Sequence, residues 1–231
     1  MIVLAFDTAT SATSVALRLA DGTMSEARDD PVAGAHPGHA TRLLPMASSL
    51  LGRAGVGWGE IGRIGVGVGP GTFTGLRVGV ATARGLAQSL GTELVGVSSL
   101  RALAAEAARH TTRSRALAVI DARRKQVFAA AYALDGLREL SEPCPLAPEE
   151  VGRLLDRQDG GWAAYGDGAL RYREELERAG VEVPSDPGLH LVRASAICEL
   201  GLAPPPRGEL DVVPDYRRRP DAELALGGRR R

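Results

Sequence analysis

Two stretches of this chain read alike, and the likeness limits what it can fold into. Ile2-Val-Leu-Ala-Phe-Asp7 is an unbroken apolar run ending in aspartate, and Ala116-Leu-Ala-Val-Ile-Asp121 repeats that pattern 114 residues later. An apolar run of this length, bounded by turn residues, reads as a buried strand. Each run leads through a polar turn into a returning stretch, residues 13–19 and 126–134, closed by Asp21-Gly22 and Asp135-Gly136. Asp-Gly after such a stretch marks the end of a hairpin strand. From first to closing aspartate is 14 residues in both units. Two hairpins of equal length do arise by coincidence. The other reading is an internal duplication, two α/β halves that each open on a strand–Asp–turn–strand unit.

Residues 23–28 read as a third, less buried strand. Leu43, Leu44, Ala47, Leu50 and Leu51 fall at helical spacing, ending near Gly55. Pro45 inside that pattern marks a first turn or a kink. Residues 61–68 form a strand feeding a glycine turn. Thr74 is the expected N-cap of a helix that stops at Gly91. A short strand over 93–97 follows, then a helix capped by Ser98 or Ser99 that runs to about Ala108. The second half is less regular: a helix from Pro148 to about Asp156, a strand over 161–165, an acidic helix from Gly166-Asp-Gly168 to Gly180, and a helix over 193–202. The expected domains are 1–110 and 111–220, with a mobile tail at 221–231.

The 231 residues are 44% hydrophobic and carry 28 basic and 28 acidic groups. That balance gives no global field favouring nucleic acid or membrane. Cys144 and Cys198 are isolated, with no C-x-x-C, which argues against a zinc knuckle or disulfide framework and fits a reduced cytoplasm. The opening apolar run meets Asp7 too soon for a signal peptide. No run reaches the ~18 apolar residues of a membrane span.

The glycine segment over 65–87 has two readings. Gly69-Pro-Gly71 before a helix points backbone N–H groups at a potential anion. It lacks the lysine of a Walker loop and the spacing of a dinucleotide fingerprint, and a tight turn with no ligand fits equally well. The helix behind it sets Gly75, Gly79, Ala83 and Ala87 at i, i+4 spacing, a stripe another helix can approach closely. Packing on the chain's own sheet is the alternative. Asp7 and Asp121, at matching strand ends, suit a metal–nucleotide complex across a cleft, or simply cap their turns. His36 and His39 lack a third ligand, so no metal site is expected. No G-x-S-x-G is present and no nucleophile has an evident histidine partner. Arg123-Arg124-Lys125 is a solvated turn or a contact for RNA phosphates.

Ile2-Val-Leu-Ala-Phe-Asp-Thr-Ala-Thr10, His39-Ala-Thr-Arg-Leu-Leu-Pro45, Gly69-Pro-Gly-Thr-Phe-Thr-Gly-Leu-Arg-Val-Gly79 and Asp121-Ala-Arg123 occur in that order. In this the chain closely resembles the TsaB (YeaZ) family. The second half matches more loosely, through Gly166-Asp-Gly168 and Pro214-x-Tyr-Arg217. The resemblance implies the actin/Hsp70/sugar-kinase (ASKHA) α/β fold, two lobes from an internal duplication with mixed sheets flanked by helices. It implies a cytoplasmic, non-catalytic dimerisation subunit that works with TsaD and the ATPase TsaE. Together they form N6-threonylcarbamoyladenosine (t6A) at position 37 of tRNAs reading ANN codons. A homodimer is implied without TsaD, and tRNA is met only through the complex. No metal, membrane or cofactor of its own is implied; ATP enters at the level of the complex.

Carried onto this sequence, the resemblance implies a nucleotide-site remnant at Asp7, Thr8, Thr10, Gly69, Gly71, Asp121, Gly166 and Gly168. It implies a partner interface at His39, Leu43, Leu44, Ala47, Gly75, Gly79, Ala83 and Ala87. ATP-binding members of the fold carry glycine in both aspartate turns. Here the turns are Asp7-Thr-Ala-Thr10 and Asp121-Ala-Arg-Arg-Lys125, whose side chains obstruct close approach of phosphates to the backbone. The alternative, resting on the two aspartates and the glycine turns, is an autonomous ATP-binding phosphotransferase or carbamoyl-type transferase of the same fold.

Overall fold

A computed structural model describes residues 1–32, 35–155, 161–203 and 212–217. The first apolar run is β1 (Ile2–Asp7), paired antiparallel with β2 (Thr13–Arg18), which pairs in turn with β3 (Met24–Asp29). On the other side of β1, β4 (Ile61–Gly69) and then β5 (Glu93–Ser98) join in parallel, giving the order β3-β2-β1-β4-β5. Parallel neighbours need crossovers. Helices α1 (His39–Ala54) and α2 (Phe73–Leu90) supply them, each closed by a left-handed glycine, Gly55 and Gly91.

The second sheet repeats this plan in smaller form. β6 (Arg115–Arg123) pairs antiparallel with β7 (Gln126–Ala133) and parallel with β10 (Ala163–Tyr165). The short β8 (Arg138–Glu139) and β9 (Cys144–Leu146) pair with β7. β4 runs through Gly69-Pro-Gly71 into α2, and β10 runs through Gly166 into α4 (Asp167–Arg171). Both sheets therefore present hairpin, parallel neighbour, glycine turn and helix in the same sequence order, as a duplication requires.

Burial on both faces explains why the strands are apolar without alternation. Leu4, Phe6, Val15 and Leu17 pack outward against α1 and α2. Val3 and Ala5 pack inward against α3 (Ser99–His110) and α6 (Ala194–Leu200), which also cover Ala118, Ile120 and Tyr132 of the second sheet. The outer face of that sheet, Leu117, Val119 and Val127, meets Val151, Ala169 and Leu176 of α5 (Arg173–Arg178). Each fully buried Leu or Phe contributes about 1.5–3 kcal/mol over its exposed state.

Two charged side chains, half-buried Glu26 and buried Arg63, pin α6 to the first sheet. Glu26 accepts from the Ser14 hydroxyl at 2.8 Å and from the Ala194 N–H at 2.8 Å, so β3 caps the start of α6 from outside. Arg63 donates to the Gly201 carbonyl at 2.7 Å just past its end, and to Glu93 at 2.6 Å.

Several local expectations change. The N-cap of α2 is Thr72, two residues before Thr74, because its carbonyl takes the first helical hydrogen bond, from Leu76 at 3.0 Å. Pro45 lies in the body of α1, past the first turn. The segment from Pro148 is a 3-10 helix that ends at Leu154; Asp156 is outside the described residues. The acidic helix is broken at Tyr172 into α4 and α5. The expected mobile tail, 221–231, also lies outside the described residues.

Candidate functional site

Asp7 ends β1 with its side chain turned inward, only 1% exposed. Its Oδ1 accepts from the Ala9 N–H at 2.8 Å and its Oδ2 from the Ser99 hydroxyl at 2.6 Å. Gly67 of β4 lies beneath the carboxylate, where any Cβ would run into Oδ2. Burial pushes the Asp7 pKa up, and the bonds from Ser99 and Ala9 pull against that. The turn that follows is stitched to the glycine segment. Thr8 Oγ1 donates to the Gly75 carbonyl at 2.7 Å, and the Thr72 N–H donates to the Ala9 carbonyl at 2.7 Å. Gly71 and Gly75 lie so close to Ala9 and Thr8 that an added Cβ would collide with their carbonyl oxygens. Gly69 itself has φ +102, a conformation open to glycine. Of the two readings of the glycine turn, close packing on the chain's own backbone is the one this geometry carries. Thr10 is buried in the same turn and accepts from the Ala12 N–H at 3.4 Å.

The second aspartate turn is built differently. Asp121 Oδ1 accepts from the Arg123 N–H at 2.9 Å, and its Oδ2 faces Arg123 Nη1 at 3.5 Å and Arg171 Nη1 at 3.4 Å. The Asp121 N–H donates to Asp167 Oδ1 at 3.0 Å, and burial raises the Asp167 pKa. Gly166 has φ +118 and lies against the Val119 carbonyl and Leu103, while Gly168 lies on the backbone of Ile120 and Asp121. Ser99 and Leu103 are one turn apart on α3, so the two aspartate turns abut the same helix. Arg123, Arg124 and Lys125 all sit at positive φ, +63, +52 and +58. A left-handed conformation costs a residue with a Cβ roughly 1–2 kcal/mol.

Most of the expected partner residues face inward. Leu43, Ala47, Gly75, Gly79, Ala83 and Ala87 are buried in the monomer. The stripe on α2 is small because β1's turn passes beneath it: a Cβ on Gly79 would strike Thr8 Oγ1. His39 is buried too, with Nδ1 2.9 Å from Thr13 Oγ1, and burial lowers its pKa. Only Leu44 of the expected set is exposed, at 43%. The outward faces of α1 and α2 instead carry Leu44, Ser48 and Gly52, and half-buried Val78 with exposed Ala81 and Gly85. A Cβ at Gly52 or Gly85 would meet nothing within 4 Å.

The Escherichia coli tRNA threonylcarbamoyladenosine biosynthesis protein TsaB is 38% identical over 176 residues, 73% of this chain and 72% of that protein. The chain belongs to the TsaB family. A family model described as TsaD, tRNA N6-adenosine threonylcarbamoyltransferase, matches residues 33–156. A Pseudomonas aeruginosa protein described as similar to peptidase YeaZ superposes with a TM-score of 0.79 at 33% identity, covering 94% of this chain and 99% of that one. YeaZ from the same organism gives 0.73 at 33% identity, over 86% and 89%. The ROK hexokinase of Thermus thermophilus, 15% identical with a TM-score of 0.50, shares the fold across 88% of this chain and all of its own.

Two residues of this site escape a sequence reading. Asp167 stands between the two glycines of its turn, and that position was its one available signal. His190, buried, accepts from the Gly166 N–H through Nδ1 at 3.1 Å, with Nε2 2.9 Å from the Pro184 carbonyl. Nothing near it in the sequence marks this role. Cys198 is buried between the Val3 and Ala16 carbonyls, its thiol pushed up to about 12 by burial. Among the described residues no three His, Cys, Asp or Glu side chains gather as a metal ion needs, and no helix is long and apolar enough to cross a membrane.

Proposed function

We propose that this chain is a non-catalytic subunit in t6A formation whose work is to hold a TsaD-type partner, with a TsaE-type ATPase completing the assembly. The observation that carries this reading is the state of the two aspartate turns. Asp7 is enclosed by Ser99, Ala9 and Gly67, and the glycine turn lies on the carbonyls of Thr8 and Ala9. The turn after Asp121 holds three long cationic side chains where close backbone approach of phosphates needs none. The nucleotide-site remnant therefore keeps the fold's outline with its reactive groups committed to structure. On this reading the chain needs no cofactor, ATP acts elsewhere in the complex, and tRNA, a cytoplasmic substrate, is met through the assembly.

The partner face on this reading is the outward side of α1 and α2, which lie side by side on the first sheet. Gly52 and Gly85 support it. A glycine within a helix costs up to about 1 kcal/mol against alanine, and no described neighbour requires glycine at either position. The same face would serve a homodimer when the partner is absent.

Threonylcarbamoyl transfer to tRNA, reconstituted from TsaD-type and TsaE-type proteins with and without this chain, tests the proposal. Transfer that depends on the chain, with no Mg-ATP turnover by the chain alone, is the expected result. Turnover by the isolated chain would favour the autonomous transferase.

A further inference from the structure

We propose that the β6–β7 turn, Arg123-Arg124-Lys125, is a contact for tRNA phosphates in the assembled complex; the proposal rests on the reading of the chain as a t6A subunit. The first argument is backbone conformation. A hairpin turn shaped by stability alone takes glycine or asparagine at positive φ. This chain has 29 glycines, and seven described ones sit at positive φ, yet three consecutive positions here carry Arg, Arg and Lys. Lys125 is the chain's one lysine. Glycine is plentiful elsewhere in the chain, so composition does not account for the choice.

The second argument is charge. All three side chains are exposed. Arg171 joins them from α4, 3.4 Å from the same Asp121 carboxylate that Arg123 faces at 3.5 Å. Asp121 and Asp167 face Arg123 and Arg171 from within the turn. Arginine and lysine contacts to phosphate supply the sequence-independent part of nucleic-acid affinity.

The third argument separates an extended polyanion from a bound nucleotide. Gly166 and Gly168 lie against the chain's own backbone at Val119, Ile120 and Asp121, so the turn is filled from within while its three cationic side chains stay exposed. A surface of that kind suits phosphates passing across it.

The test uses the chain assembled with its TsaD-type partner, titrated with an unmodified tRNA transcript at several salt concentrations, for wild type and two double variants. Arg124→Gly with Lys125→Gly removes the charges and relieves the backbone; Arg124→Gln with Lys125→Gln removes the charges alone. Both should assemble normally and melt at or above the wild-type temperature. Both should bind tRNA about tenfold more weakly at low salt, with a log–log salt slope shallower by roughly one per lost contact. Unchanged tRNA affinity and slope in both variants overturns the proposal. So does Mg-ATP binding that is lost in the variants while tRNA affinity is kept, which would assign the turn to a free nucleotide. Sedimentation of the same samples reads partner assembly. If wild type does not assemble, the scaffold reading fails, and the titration on the isolated chain still decides the turn.

Discussion

The Thr8 hydroxyl donates to the Gly75 carbonyl at 2.7 Å, so the turn after the first strand is fastened to the first turn of α2. This bond joins two segments that a sequence reading treats as separate sites. It also fixes why α2 is glycine-rich on that side: Thr8 presses on Gly75 through its carbonyl and on Gly79 through its hydroxyl.

Gly75→Ala should therefore harm folding before it harms any partner. The colliding atom is backbone, which cannot rotate away. Overpacking of this kind costs about 1–3 kcal/mol. In a chain of this length that corresponds to a melting temperature lower by about 2–12 °C. Differential scanning calorimetry checks it; an unchanged transition would mean the turn is looser than described.

Gly85→Ala, on the opposite side of the same helix, should do the reverse. Its Cβ meets open space, and alanine improves helix propensity by up to about 1 kcal/mol. The isolated chain should melt a few degrees higher. A lower melting temperature would show that Gly85 serves the monomer fold.

Asp7 gives a pH prediction. Burial raises its folded pKa above the ordinary carboxylate value, so the folded state holds this proton more tightly than the unfolded state. The associated stability is full below the ordinary value and is lost as pH rises through the raised one. Wild type should gain on Asp7→Asn as pH falls from neutral toward about 4. Urea unfolding of both proteins across that range checks the sign; a pH-independent gap would contradict it.

His190 and His39 act oppositely. Burial is the main cause lowering both below the ordinary 6.5. The unfolded chain then binds more protons, and their contribution to stability is lost as pH falls below about 6.5. Nitrogen-15 NMR titration should find both rings still neutral as pH falls just below about 6.5. Titration of His190 at or above 6.5 would overturn the arrangement with Gly166 and Pro184.

The hairpins and the repeat were legible because a strand buried on both faces writes itself as an unbroken apolar run, as at residues 2–7 and 116–121. The cap of α2 was misplaced because Thr72 and Thr74 are equivalent as residue types; the choice is made by the Ala9 carbonyl, 63 residues away in sequence. The small-residue stripe signals a close approach, but spacing alone cannot say whether the approaching backbone belongs to the same chain or to another. Asp167 and His190 owe their roles to contacts with the β6 turn and with Gly166 that exist only in the fold.

The central claim is that the outward face of α1 and α2 holds a TsaD-type partner while the inward stripe holds the monomer together. Analytical ultracentrifugation of wild type and Gly85→Leu, each mixed with a TsaD-type protein, tests it most directly. The account predicts a heterodimer for wild type, and for Gly85→Leu a folded chain that sediments apart from the partner. A Gly85→Leu chain that binds as tightly as wild type would contradict it.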